Sequence, residues 1–345
     1  MPSSLLGKSR WHIYVYLICS VHASTLSLPN SSNSFDLFIL SSSYFLFVHS
    51  AFYAPKRLYQ PFFGDATSRF KSEDETVEAY RGGYLDDQNV VRNCDIYSDY
   101  QGDAIFFAFQ RNGEVSGNKI TRASISIYMN RDTKVSDNTL NSSPLYGIHV
   151  SLPSDNVYVE SNKITGSGGS GIKVARVDLE DEEDQTIPTV ATHERPHYRA
   201  TGIRISNNNV ALSSTIGIEV EMTHGALIAE NTVSRTLYSA IYLQHTDSTI
   251  VHDNRLEDFG LVAPKHEHNG GIYAAAAVTQ ASIHDNIVIE PLQHGSQYGI
   301  KVANLPENIG NTVSQNMLSG DYLAGASISA PLKAIMPDNN EMQMM

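Results

Sequence analysis

From about residue 90 onward, apolar and polar positions alternate in a short phrase that recurs along the chain. Each copy places an aliphatic residue, two variable residues, an asparagine, one variable residue and a second aliphatic residue in a row. The eight copies begin at Val115, Val135, Val159, Ile205, Ile228, Val251, Ile283 and Val313. Because alternating aliphatic positions in short segments are typical of strands, the phrase predicts pairs of short β-strands joined at the asparagine.

A second phrase consists of Gly or Ala, Ile, a variable residue and usually an aliphatic residue. Its copies begin at Gly147, Gly171, Gly217, Ala240, Gly271 and Gly299. The asparagines of the first phrase are 20, 24, 46, 23, 23, 32 and 30 residues apart, so one unit has about 23 residues with occasional insertions. No helical period of similar strength lies between the phrases, which excludes leucine-rich, ankyrin and tetratricopeptide repeats.

Three short strands per unit predict a parallel β-solenoid, in which each unit forms one turn. We expect the asparagine to adopt a left-handed conformation at a bend. Stacked asparagines would then hydrogen-bond in a ladder that satisfies buried polar groups. The role predicted for the eight asparagines is therefore structural.

Both phrases resemble those of the right-handed parallel β-helix superfamily. This superfamily includes pectate-lyase-like enzymes, mannuronan C5-epimerases and NosD-like periplasmic proteins. The resemblance covers residues 83–330 and implies an all-β, right-handed, single-stranded parallel β-helix of about nine turns. It leaves the reaction open, because one scaffold of this kind carries many chemistries.

The remaining segments lack the repeat. Lys8 and Arg10 precede an apolar run that ends at small residues near Ala23, so residues 1–23 are predicted to be a signal peptide and the protein to be secreted or periplasmic. Residues 24–82 are expected either to cap the helix or to be disordered, and residues 331–345 form a tail. The apolar run at 35–54 is interrupted by polar residues, so no firm membrane association is expected.

The composition limits the classes of partner that the protein can bind. The chain has 345 residues, of which 41% are apolar, and a net charge of −13. This acidity argues against a nucleic-acid partner, because binding phosphates requires positive charge. Two cysteines are too few for a disulfide framework or a four-cysteine zinc site. The resemblance implies a polysaccharide as the partner, and the sequence leaves the oligomeric state open.

Candidate chemistry lies at the variable position of the second phrase. In a strand, this side chain points away from the two aliphatic residues, and we expect it to face solvent. Successive turns stack these positions into a column. We call it the third-face column, because its strands are the third of each unit beside the two strands of the asparagine phrase. The column contains Ser126, His149, Lys173, Glu219, Tyr242, Tyr273 and Lys301. Two residues further on, a parallel row reads Ser151, Ala175, Glu221, Gln244, Ala275 and Ala303.

This set of residue types predicts a site for an acidic sugar. Glu219 and Glu221 lie on one face of one strand and can share a Ca²⁺ ion, act as general acid and base, or repel each other. Lys173 can neutralise Glu219 or a uronate carboxylate, and His149 or Tyr242 can serve as base or acid. The expected substrate-binding residues are Tyr273, Lys301, Gln244, His245 and Arg176.

Two insertions are predicted to flank this column and form a cleft. Residues 176–201 contain an acidic run at 180–184, and residues 261–269 contain His266 and His268, which can bind a metal.

Three functions remain open. The resemblance implies a lyase or C5-epimerase acting on a uronate polysaccharide, but Tyr146-Gly147-Ile148-His149 keeps only the Tyr-Gly of the epimerase motif. Lyases that resemble chondroitinase place two glutamates on one strand as calcium ligands, similar to Glu219 and Glu221, but here no lysine follows closely. The alternatives are a glycoside hydrolase that uses the two glutamates and a non-catalytic glycan-binding or NosD-like accessory protein.

Overall fold

A computed structural model describes residues 15–20, 46–48, 73–83, 85–98, 102–175, 198–261, 270–290, 298–320, 322, 328–329 and 341–342. The repeat region winds into a parallel β-helix with three faces. Strands of the first and second faces come from the two halves of the asparagine phrase, and each pairs in parallel with its counterpart one turn away. The aliphatic residues therefore stack in register, as in the pair Val135 and Val159.

The first two faces are built from strands that follow one another in the chain. The first face contains Val90–Tyr97, whose residues 95–97 continue into the second face, followed by Glu114–Ser116, Lys134–Ser136, Tyr158–Glu160, Arg204–Ser206, Leu227–Ala229, Ile250–His252, Ser282–His284 and Thr312–Ser314. The second face contains Lys119–Thr121, Thr139–Asn141, Lys163–Thr165, Asn209–Ala211, Thr232–Ser234, Arg255–Glu257, Ile287–Ile289 and Met317–Ser319.

The third face is a separate parallel sheet of nine strands. They are Asp103–Ala108, Ser124–Tyr128, Ile148–Ser151, Ile172–Ala175, Ile218–Glu221, Ile241–Gln244, Ile272–Ala274, Ile300–Val302 and Ile328–Ser329. Nine stacked strands confirm the predicted solenoid of about nine turns. The inward aliphatic side chains of all three faces form one continuous buried core.

The predicted asparagine ladder is present. We use this name for Asn118, Asn138, Asn162, Asn208, Asn231, Asn254, Asn286 and Asn316, all of which are buried. In each of the first seven, Nδ2 donates to the Oδ1 of the next asparagine at 2.8–3.0 Å, and the same Oδ1 accepts the backbone N–H of the preceding one. The ladder thus connects eight successive bends through the interior.

The predicted conformation of these asparagines is wrong. The left-handed residue at each bend is the one before the ladder asparagine, with φ between 54° and 64°. These residues are Gly117, Asp137, Ser161, Asn207, Glu230, Asp253, Asp285 and Gln315. Because this residue makes the turn and points mostly outward, the asparagine side chain stays inside, where its amide reaches the next turn.

A helix at Glu73–Arg81 packs against the solenoid, within the segment predicted to cap it or to be disordered. Val77 and Tyr80 are fully buried. The Tyr80 hydroxyl donates to the Asn130 carbonyl at 3.0 Å and to Asp155 Oδ2 at 2.9 Å, and Arg81 forms an ion pair with the same carboxylate. The helix is thus anchored to two turns by one buried carboxylate.

The remaining strands are short. They are Val15–Ser20, Leu46–Val48, Asp86–Asp87, Gln110–Arg111, Ala200–Thr201, Thr223–His224 and Glu341–Met342. In the part of the chain that the structure describes, no helix is both long and apolar enough to cross a membrane.

Candidate functional site

The third-face column forms as the repeat predicts. Pairing is in register along the sheet, so Ser126, His149, Lys173, Glu219, Tyr242, Tyr273 and Lys301 lie one above the other on successive turns. The second row is also in register where strands extend that far, as in Glu221 beside Gln244.

A small residue, usually glycine, precedes most third-face strands and allows the turns to approach closely there. A Cβ on Gly171 would collide with the Val210 side chain and lie 2.8 Å from the carbonyl oxygen of Gly217 on the next turn. Gly171 therefore has no room for a Cβ, although Ala240 occupies the equivalent position of another turn. The alternation along the strand then turns the variable side chain two positions later, such as Lys173, outward.

The centre of the column is buried, which corrects the expectation that these side chains face solvent. His149, Lys173 and Glu219 are 7–9% exposed and Tyr242 is 5% exposed, whereas Tyr273 and Lys301 are half-buried. Alternation within a strand predicts only the outward direction of these side chains. Side chains from the bend before the strand, such as Tyr146 and Ser170, contact the column and cover it.

Lys173 and Glu219 form a buried ion pair, with Nζ 3.6 Å from Oε1. The other carboxylate oxygen accepts a hydrogen bond from Ser170 Oγ at 2.5 Å. The Lys173 ammonium lies 3.5 Å from the Tyr146 hydroxyl and 4.9 Å from the centre of its ring. The sequence suggested a solvated ion pair, but the pair is enclosed by Tyr146 and Ser170.

His149 is held in one orientation beside this pair. Its Nε2 lies 3.2 Å from the Ala175 carbonyl oxygen, and its ring is 5.3 Å from the Tyr146 ring. A carbonyl oxygen only accepts hydrogen bonds, so the neutral imidazole carries its proton on Nε2 and its lone pair on Nδ1. This is the tautomer in which Nδ1 can accept a proton.

The other end of the column is aromatic. The rings of Tyr242 and Tyr273 meet edge to face with centres 5.6 Å apart, and Lys301 Nζ lies 4.4 Å from the Tyr273 ring centre. The Tyr242 hydroxyl donates to Gln244 Oε1 at 2.9 Å, and Gln244 Nε2 lies 3.4 Å from His245 Nε2. Four of the predicted substrate-binding residues therefore lie together around Tyr242.

The glutamates do not match a calcium site as they stand. Ca²⁺ takes six to eight oxygen ligands, but the Glu219 carboxylate already contacts an ammonium and a hydroxyl. Within the described ranges, no group of three or more His, Cys, Asp or Glu side chains gathers closely enough to hold a metal ion.

Some predicted residues lie outside the described residues. These are Arg176, His266, His268 and the acidic run at 180–184, together with most of both flanking insertions. The contacts of Tyr146 and Ser170 with the column were not predicted from the sequence. Each precedes its strand's column residue by three positions, and a second alignment of the repeat at that offset would have found them.

The sequence and the architecture identify the family. A family model described as the right-handed β-helix region matches residues 67–178 and 196–333, most of the chain. The chain belongs to the right-handed β-helix family. This confirms the handedness and the superfamily inferred from the repeat. No curated protein matches this β-helix chain in sequence at a significant level.

Several solved structures contain a similar β-helix. The A-module of mannuronan C-5 epimerase AlgE6 from Azotobacter vinelandii is 11% identical, with a TM-score of 0.50 over 68% of this chain and 64% of that one. The periplasmic alginate epimerase AlgG is 15% identical, with a TM-score of 0.46 over 68% and 50%. A lacto-N-biosidase from Eubacterium ramulus is 12% identical, with a TM-score of 0.40 over 73% and 52%. The chain spans only about half of most of these proteins, and the similarity shows the fold alone.

Proposed function

We propose that this protein is a secreted or periplasmic carbohydrate-active protein that binds an acidic polysaccharide along the third face. The proposed reaction is removal of the proton α to a uronate carboxylate, leading to elimination or C5 epimerisation. The observation that carries the proposal is the cluster of His149, Lys173, Glu219 and Tyr146 in one place, next to the Tyr242, Tyr273 and Lys301 end.

The polymer would run along the column, from the half-buried Tyr273 and Lys301 end toward His149. Tyr273 offers a half-buried aromatic side chain that a sugar ring can contact. Lys301 lies over the same ring at 4.4 Å and supplies a positive charge for a carboxylate. The aromatic side chain and the ammonium together select an anionic sugar over a neutral one.

Proton removal needs a base, a positive charge and a proton donor. His149 Nδ1 is the proposed base, because the Ala175 carbonyl holds the proton on Nε2. The Lys173 ammonium stabilises the negative charge that develops on the substrate carboxylate. The Tyr146 hydroxyl, 3.5 Å from Lys173 Nζ, returns a proton to C5 or to the departing glycosidic oxygen.

The test is an assay with alginate, pectate and glycosaminoglycans in D₂O, with and without a chelator. We expect unsaturated uronate products or deuterium at C5, and His149→Gln should reduce the rate at least about 100-fold while leaving binding intact. His224→Gln is the matched control, because His224 is an exposed histidine on another corner of the solenoid. No product and no exchange on any polymer would exclude the enzymatic function.

Burial favours a second candidate, a non-catalytic glycan-binding protein. Lys173 and Glu219 are 7% and 9% exposed, as expected for a structural ion pair that supports an aromatic binding surface, and His149 beside them is 7% exposed. This function predicts saturable binding without turnover. Tyr273→Ala should then weaken binding about tenfold, whereas His149→Gln should change it little. The hydrolase alternative has less support, because both oxygens of Glu219 are engaged by Lys173 and Ser170.

A further inference from the structure

Two histidines stack on the first face, away from the third-face column. His252 and His284 occupy the same position of successive turns and pair in register. Their rings are parallel to within 3°, with centres 5.3 Å apart. Their in-register neighbours on the outer sides are Ala229 and Ser314, so the pair stands alone in its row.

Each ring has its own carboxylate. His252 Nδ1 lies 2.6 Å from Asp253 Oδ2, and His284 Nδ1 lies 2.7 Å from Asp285 Oδ2. Because a carboxylate accepts a hydrogen bond, the neutral ring carries its proton on Nδ1 and its lone pair on Nε2. Both aspartates are the left-handed residues of their bends, and each directly follows its histidine in the chain.

A histidine whose second nitrogen donates to a carboxylate is the usual form of a metal ligand in proteins. The carboxylate fixes the tautomer and orients the ring, and it makes the ligating nitrogen more basic. Each His–Asp pair is a complete unit of this kind. The side chains of His252 and His284 are 25% and 29% exposed, so an ion can reach them from solvent.

The spacing allows one ion to bind both rings after a small movement. Imidazole nitrogen binds zinc at about 2.0–2.1 Å, so two ligating nitrogens lie at most about 4 Å apart. The ring centres are 5.3 Å apart. Rotation of each ring about its second side-chain torsion brings the two Nε2 atoms closer together. This rotation is accessible because the energy minimum of that torsion is broad in histidine.

We propose that His252 and His284 form a surface site for a divalent transition metal, in which Nε2 of each ring is a ligand. Water fills the remaining positions. Asp253 and Asp285 are positioning residues that act through the histidines. Of the divalent first-row ions, Cu²⁺ should bind most tightly and Mg²⁺ should not compete, because imidazole favours copper, nickel and zinc.

His224 provides a matched control. Its Nδ1 also lies beside a carboxylate, at 2.8 Å from Asp247 Oδ2. Its in-register neighbours are Thr201 and Asp247, so it has no second imidazole in its row. Comparison of the two places separates a two-histidine site from a single exposed histidine.

The experiment is a Cu²⁺ titration of the full chain, followed by calorimetry and by the nitrogen couplings in the electron paramagnetic resonance spectrum. The chain has 13 histidines, so the readout is the difference between variants. His252→Ala and His284→Ala should each remove the same tight site. The double variant should lose no more than either single variant. Asp253→Asn should weaken that site about tenfold or more, and His224→Ala should leave it unchanged.

Other results would overturn the proposal. An unchanged tight site in His252→Ala and His284→Ala would do so. So would equal losses in His252→Ala and His224→Ala, or additive losses in the double variant, because these describe independent histidines. His252→Gln keeps the polarity and size of the surface, and it must reproduce the loss with an unchanged circular dichroism spectrum.

Discussion

The asparagine ladder and the third-face column are two rows built by the same repeat, yet they differ in composition. The ladder places one residue type at eight successive bends, each bonded to the next by the same two hydrogen bonds. The third-face column has five residue types in seven positions: Ser, His, Lys, Glu, Tyr, Tyr and Lys. Both rows are in register and both are largely buried.

This difference separates scaffold from site. A repeated residue at a repeated position meets the same need in every turn, here the pairing of buried backbone groups at the bend. A varied residue at a repeated position meets a local need. Burial alone does not distinguish the two, because Glu219 is nearly as buried as Asn208. The contacts do, since the column pairs unlike groups across turns.

The largest expected effect is at the middle of the ladder. Asn208 Nδ2 donates to the Val159 carbonyl and to Asn231 Oδ1, and Asn208 Oδ1 accepts from the backbone and side chain of Asn162. Asn208→Ala leaves several of these groups buried and unpaired. We expect a loss of about 4 kcal/mol in the free energy of unfolding, measured by denaturant titration.

The same stretch of chain supplies the control. Asn209 follows directly and is exposed, so Asn209→Ala should change the unfolding free energy by less than about 0.5 kcal/mol. Substrate binding per folded molecule should be equal in both variants. If fully folded Asn208→Ala binds substrate less well than the wild type, the ladder also contributes to binding. The distinction between ladder and column would then be wrong.

The next effect concerns the buried ion pair. Removing one partner leaves the other charge uncompensated, so Glu219→Leu and Lys173→Met should each destabilise the fold by about 3 kcal/mol. The double variant, Lys173→Met with Glu219→Leu, should regain most of this stability, because an apolar pair has no charge to desolvate. Thermal unfolding of the four proteins measures the coupling.

The same cycle tests the column as a site. If the pair serves the proposed reaction, the stable double variant remains inactive on the polymer that the wild type uses. If it regains activity together with stability, Lys173 and Glu219 are scaffold, and the contrast with the ladder disappears.

The sequence predicted the solenoid and the membership of both rows, because these follow from a period that eight copies define. It did not predict which bend residue is left-handed, since Asp137 and Asn138 are both plausible there and only packing decides. Nor did it predict the burial of His149 or the contacts of Tyr146 and Lys301. Burial and contacts of this kind depend on side chains from neighbouring turns, and these side chains lie at positions that the repeated phrase does not include.

The smallest expected effect lies at a corner that belongs to neither row. Thr201, His224, Asp247 and Thr279 follow one another there in register, on an exposed part of the solenoid. Partial burial raises the pKa of Asp247, but hydrogen bonds from Thr279 and His224 outweigh it and hold the pKa below its ordinary value of 3.8.

A lowered pKa in the folded state means that the ionised carboxylate stabilises the fold. The contribution is complete above the ordinary pKa and is lost as the pH falls through the lower folded value. Asp247→Asn should therefore cost less than about 1 kcal/mol at pH 7, because the site is exposed. The difference in the free energy of unfolding between Asp247→Asn and the wild type, measured by denaturant titration, should shrink below about pH 4. A difference that grows on acidification would mean that Asp247 is stabilised in its protonated form, and the corner would then resemble the buried rows.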